Sequence, residues 1–194
     1  MKKLLLLLFS ILISLNSYGK TVCVETDAQE RDGIYYLPNE TKPFTGKNLC
    51  KYENGQIESE GNFKDGKADG KQTQWWSSGQ KKEEYNYKDS KLDGKFTWWH
   101  ANGQKWLEGN YKDGMNNGKS IMWYDTGEIR RKYNFKDGWL HGKFTRWYKN
   151  GQKSFEQNFK DGEFDGKRTW WHRNGQIKSE QYYKDGERCS SGDC

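Results

Sequence analysis

The chain has 194 residues, with 33 Lys and Arg against 27 Asp and Glu and a hydrophobic fraction of 32%. So polar a composition usually marks disorder, but disordered chains are poor in aromatics and rich in proline. Here 16% of residues are aromatic, 10 are Trp and only 2 are Pro, so the chain folds. Beyond residue 20 almost no Leu, Ile or Val remains. Rossmann and TIM-barrel enzymes are thereby excluded, since their parallel strands read as aliphatic runs, and backbone pairing must carry much of the order.

Residues 1–19 have the form of a secretory signal. Lys2 and Lys3 precede a mostly apolar run from Leu4 to Leu15, and Ser17 and Gly19 are the small residues before a cut at Lys20. The run is shorter than the roughly 20 residues that a bilayer-spanning helix requires. Export is therefore expected, to the periplasm, the cell surface or the medium. Loss of Lys2 and Lys3 lowers the formal charge of +6 by two. What remains is spread along the chain rather than gathered into a basic stripe, so nucleic acid is not an expected partner.

Residues 20–45 read as a capping segment containing Cys23, with Cys50 just beyond it and Cys189 and Cys194 closing the chain. An even cysteine count in an oxidising compartment indicates disulfides. Of the three connectivities, Cys23–Cys50 with Cys189–Cys194 is favoured, because each pair staples one end of the molecule. The three His residues lie far from one another and from every Cys in sequence, which argues against a zinc site.

From residue 46 to 189 the chain is a sixfold repeat. Gly55, Gly79, Gly103, Gly127, Gly151 and Gly175 recur every 24 residues, each followed by Gln or Glu. Gly46, Gly70, Gly94, Gly118, Gly142 and Gly166 recur at the same step, each followed by Lys. A third series, Phe63, Tyr87, Tyr111, Phe135, Phe159 and Tyr183, is followed each time by Lys-Asp. Asn-Gly pairs at 102–103, 150–151 and 174–175 signal hairpin turns between strand-length runs such as 95–99 and 104–111. The predicted fold is all-β: tandem hairpins joined into an elongated antiparallel sheet, ended by a Cys-containing tail at 190–194.

Alternation separates the two faces of the first strand in each unit. Thr73, Thr97, Thr145 and Thr169 stand two residues before Trp75, Trp99, Trp147 and Trp171, with Ile121 and Trp123 in the same places of the fourth unit. This repeated column is expected to stack as an inner seam of indoles, joined by the Phe/Tyr column of the second strand. The opposite columns vary between units. One reads Gln74, Trp98, Met122, Arg146, Trp170, the other Trp76, His100, Tyr124, Tyr148, His172. The candidate contact surface is Trp98 and Trp170 with Trp76, His100, Tyr124, Tyr148 and His172, since Trp and Tyr are favoured at interface hot spots. An ordinary solvated face drifting between units is the alternative.

The unit Tyr111-Lys-Asp-Gly114-Met-Asn-Asn-Gly118-Lys, with an aromatic five places beyond Gly118, resembles a MORN repeat in its bacterial variant. Pro43-Phe44-Thr45-Gly46-Lys47 ahead of Tyr52-Glu53-Asn54-Gly55-Gln56 resembles the opening of exported proteins of the YwqK-type antitoxin family. The resemblance covers residues 43–187. It implies a protein-binding, neutralising role, and through eukaryotic MORN proteins also membrane and scaffold association. Ser90 in place of a turn Gly and Asn117 in place of Asp are departures confined to turns.

These residues bear on three functional classes. A binding or scaffold module with a protein partner comes first, because tandem repeats build extended contact surfaces. Binding of cell-envelope glycan or a lipid membrane surface through the aromatic face comes second. Catalysis is not expected, nor any cofactor. Nearly every Asp, Glu and Lys recurs in register, whereas an active site needs unlike residues converging on one place. His100 and His172 occupy equivalent columns of different units and cannot share a site.

Overall fold

The computed structural model describes residues 19–190. The signal sequence (bar Gly19) and Cys194, with the Cys189–Cys194 pairing, lie outside the described residues. The repeat folds into six hairpins within one 17-stranded sheet. Their paired strands are Gly46–Lys51 with Ile57–Lys64, Lys67–Trp75 with Lys81–Lys88, and Gly94–Trp99 with Lys105–Lys112. Gly118–Trp123 with Ile129–Lys136, Gly142–Trp147 with Lys153–Lys160, and Glu163–Trp171 with Ile177–Lys184 complete them. Each pairing within and between hairpins is antiparallel.

Two turns alternate. Lys64 to Lys67 closes through Asp65 and Gly66 at φ 50° and 76°, a two-residue turn of type I′ whose twist matches that of the strands. Tyr52 to Gln56 closes through a three-residue loop with Gly55 at φ 83°. There Asn54 accepts from the Gln56 N–H (3.1 Å) and donates to the Ser77 carbonyl of the next unit (2.9 Å). Asn102 and Asn150 repeat the link to Asp125 and Arg173. One side chain thus both shapes its own turn and ties it to the following one.

The N-terminal segment departs from the repeat. Strand β1 (Lys20–Val22) lies parallel on Gly46–Lys51, which makes the sheet mixed rather than wholly antiparallel. A four-residue helix α1 (Val24–Asp27) and a hairpin of β2 (Gln29–Arg31) and β3 (Ile34–Tyr36) follow. Val22, Val24, Leu37 and Phe44 form a small apolar core, closed by Tyr35 and Phe63. The expected Cys23–Cys50 disulfide is present, with Cα atoms 4.5 Å apart. Among the described residues no helix is long and apolar enough to cross a membrane.

The expected indole seam is not how the faces are built. Trp75, Trp99, Trp123, Trp147 and Trp171 are half-buried, and among the described residues no ring–ring contact joins one to another. Their cross-strand partners are Lys81, Lys105, Ile129, Lys153 and Ile177. Lysines of the preceding unit lie over four of these rings, Lys81 at 5.4 Å from the Trp99 centroid, Lys105 at 5.6 Å from Trp123, Lys132 at 5.8 Å from Trp147 and Lys153 at 5.5 Å from Trp171. The Thr column between them is buried beneath a ladder of Lys–Glu pairs such as Lys95–Glu108 at 2.8 Å. Aromatic packing lies on the opposite face, the one that varies. An indole one residue from a turn is better covered by a flexible lysine stem than by a ring held a full hairpin away.

Candidate functional site

The variable face carries two continuous cross-strand rows. The outer begins Cys50, Ser59, Gln74, Glu83, Trp98, Leu107. It continues Met122, Arg131, Arg146, Phe155, Trp170, Ser179. The inner row beside it sets rings against non-aromatic residues across each hairpin: Phe96 opposes Gly109, Tyr133 opposes Ser120, and Phe144 opposes Gln157. Gly109 is required by packing, because a Cβ there would stand 2.6 Å from the Phe96 ring and from Ser120 Oγ. The vacated space lets Phe96 lean toward Tyr111, centroid to centroid 4.9 Å.

Two aromatic clusters result. In the first, Trp98 meets Tyr85 edge-on at 6.2 Å, Phe96 at 5.7 Å and Trp106 at 5.2 Å, and His100 packs on Trp106 at 6.2 Å. Tyr85 donates its hydroxyl to Glu83 (2.9 Å). Burial, reinforced by the Glu83 charge, pushes its phenol well above the ordinary range. In the second cluster, Trp170 meets Phe155 at 5.4 Å, and Phe144 packs on Tyr133, Phe155 and Phe159. The Phe/Tyr column of the second strand joins this face, through Phe63, Tyr111, Phe135, Phe159 and Tyr183.

The seven candidate residues therefore separate. Trp98 and Trp170 lie on one face in different clusters. Tyr124 and Tyr148 donate their hydroxyls to the carbonyls of Trp147 and Trp171, one unit onward, at 2.8 Å each. Tyr52 does the same to Trp75 at 2.7 Å. The three tyrosines of this column thus stitch neighbouring units, whereas His100 of the same column packs into the first cluster. Trp76 and His172 occupy the same column, and His172 is exposed. Residue comparison along the first strand alone missed Trp106, Phe155 and Arg131, which come from the second strand of their units. Reading residues 59, 83, 107, 131, 155 and 179 as a column would have exposed Arg131 and Phe155, and the adjacent column 58, 82, 106, 130, 154 and 178 would have exposed Trp106. Trp106 is 37% exposed and Trp139, at a turn, 65%.

A cleft of about 590 Å³ lies between the N-terminal segment and the first two units, lined among others by Glu25, Asp32, Tyr35, Gln72 and Gln74. Its walls mix amides, hydroxyls and carboxylates with the rings of Tyr35, Phe63, Tyr85 and Tyr87. Among the described residues no three His, Cys, Asp or Glu side chains gather as metal ligands.

Comparison with known proteins bears on the repeat. Of solved structures, a complex of GtfA/B bound to UDP and GlcNAc aligns at 9% identity and a TM-score of 0.23, over 80% of this chain and 28% of that one. Accessory secretory proteins 1, 2 and 3 of Streptococcus pneumoniae align at 13% identity and a TM-score of 0.20, over 79% and 22%. The chain thus spans less than a third of either, at similarity too low to carry an argument. No curated protein matches. The MORN repeat variant pattern, by contrast, matches at residues 44–65, 68–89, 92–113, 116–137, 140–161 and 164–185, in step with the six hairpins. With most of its length so matched, the chain belongs to the MORN repeat variant family.

Proposed function

We propose that this is an exported, non-enzymatic binding module that holds a protein partner against the variable face of its sheet. The observation that carries the reading is the outer row. Its residues change from unit to unit, while the turns, the Thr column and the Lys–Glu ladder of the other face repeat. The first aromatic cluster offers Trp98, Trp106 and His100 together, with Glu83 beside them, as an apolar centre with a polar margin. Neutralisation of a toxin-like partner, as the family resemblance implies, is the finer form of the same reading. The Cys23–Cys50 disulfide supports an oxidising compartment.

Affinity capture from the exported fraction tests it. Wild type is expected to recover one stoichiometric polypeptide, and the Trp98→Ala, Trp106→Ala double variant to lose it while its circular dichroism is unchanged. Retention on insoluble cell wall, lost in the same variant, replaces the protein partner with an envelope polymer. Equal capture by wild type and variant overturns the assignment of the face.

A further inference from the structure

In the fourth to sixth units the variable face gathers three guanidinium groups without an acid. Arg131 and Arg146 stand directly opposite each other on neighbouring strands. Like charges so placed destabilise a sheet. Arg168 joins them from the inner row, and the three, with Phe144, Phe155 and Trp170, line one cleft of about 300 Å³. The equivalent cross-strand pairs elsewhere are Ser59–Gln74, Glu83–Trp98, Leu107–Met122 and Phe155–Trp170. No other unit has an arginine in any of these three columns, so the cluster is not part of the repeat pattern.

What these groups touch within the chain is neutral. Arg146 Nε donates to Ser154 Oγ at 3.0 Å, and Arg168 donates to the Tyr183 hydroxyl at 2.9 Å. Arg168 lies 4.1 Å from the Phe164 centroid and 4.9 Å from Trp170. The Nε atoms of Arg131 and Arg168 are shielded from solvent and have no hydrogen-bond partner in the chain. The ion pairs of the described residues are made by Lys and His, none by these arginines, and the nearby Glu156 is held on the other face by Lys143 and Lys153. Burial, with the charges of Arg130 and Arg146 added, lowers the Arg131 pKa from its ordinary value.

We propose that this cleft binds the phosphoryl group of a small phosphomonoester, its organic part resting on Phe155 and Trp170. Opposed planar forks suit a tetrahedral dianion, whose several oxygens can satisfy more than one guanidinium, better than a lone carboxylate. Aromatic walls beside the charges suit a ring carried on the phosphate, and the volume is at the lower end of small-ligand sites. The site is independent of the protein-binding cluster around Trp98.

The test measures thermal unfolding and calorimetric binding of the full exported chain, with glucose 6-phosphate and inorganic phosphate as probes against potassium chloride at matched ionic strength. Both phosphates are expected to raise Tm beyond chloride, with glucose 6-phosphate the tighter. Arg146→Gln and Arg131→Gln should each weaken binding about 10-fold or more, as loss of a charge-assisted hydrogen bond does. Arg173→Gln, outside the cleft, should leave it unchanged. Because Arg146→Gln removes the opposed like charge, the unliganded variant should melt no lower than wild type, which separates lost binding from lost folding. A Tm that follows ionic strength alone, or phosphate binding that survives in both cleft variants, overturns the proposal. So does retention on anionic phospholipid vesicles while both soluble phosphates leave Tm unmoved.

Discussion

Single residues reveal themselves here by breaking the register that five or six copies keep. Ser90 is the second central residue of a type I′ turn, at φ 68°, where Gly33, Gly66, Gly114, Gly138, Gly162 and Gly186 stand in the sister turns. A left-handed backbone costs an L-residue about 1–2 kcal/mol, part of which glycine returns through its freer unfolded chain. Ser90→Gly should therefore raise stability by about 0.5–1 kcal/mol in chemical denaturation. The Lys–Glu ladder gives a second residue-scale expectation. Glu84, Glu108 and Glu156 are partly buried, which by itself favours the neutral form. Hydrogen bonds from two lysines each outweigh burial and hold all three carboxyls below their ordinary 4.5. A depressed folded-state pKa contributes stability that is present above the unfolded value and lost as pH falls through the folded one. Melting temperature should accordingly hold from neutrality to about pH 5 and drop below about 4.5. The triple Glu→Gln variant at these positions should show a shallower acid limb.

At the scale of the strand, order comes from which face takes the bulk. Gly109 lets Phe96 and Ser120 cross the middle of the sheet, so Gly109→Ala forces a Cβ to 2.6 Å from both. Overpacking of this kind costs about 1–3 kcal/mol, and hydrogen exchange should show the loss centred on Gly94–Trp99 and Gly118–Trp123. The hairpins, their 24-residue step and both turn positions were legible in the sequence, because glycine at positive φ and Asp-Gly or Asn-Gly pairs report backbone geometry directly. The assignment of faces was not. Repetition of Trp75, Trp99, Trp123, Trp147 and Trp171 suggested a core, yet a position repeats equally well when it needs a lysine stem above it. The packed rings instead come from columns whose members complement neighbours rather than resemble them, as Phe96 does with Gly109 and Phe144 with Gln157. Such complementarity depends on pairs of positions from different strands, which a column-by-column reading does not register. The arginine cleft was missed for the same reason, since Arg131 and Arg146 become a pair only once the hairpins are laid side by side.

For the whole molecule, a tandem array stabilises each unit chiefly through its neighbours, so the ends determine how far order extends. At the N-terminal end β1 covers the outer edge of Gly46–Lys51, and the small apolar core seals the aromatic face of the first unit through Phe44 and Phe63. Beyond the disulfide and the short β1 ladder, the segment is held by few ties: the Tyr35 and Gly66 amides donate to Gly66 and Phe44 carbonyls at 2.9 and 2.7 Å, the Val24 amide donates to Asn48, and the Asp65 amide donates to the Thr45 hydroxyl. The Cys23–Cys50 crosslink spans 27 residues, for which loop-closure entropy predicts a contribution of about 3–4 kcal/mol. A loss of that size exceeds what so small a core offsets, but the six hairpins keep their own pairings. The Cys23→Ser, Cys50→Ser variant should therefore unfold in two steps, the segment 20–45 becoming protease-sensitive while residues beyond 46 stay protected. Detachment of β1 would also bare the Gly46–Lys51 edge, and an unpaired edge recruits another. Light scattering should then report association of the variant at concentrations where wild type stays unassociated. Unfolding of the whole array in one transition with the segment would show instead that the cap nucleates the repeats rather than merely closing them.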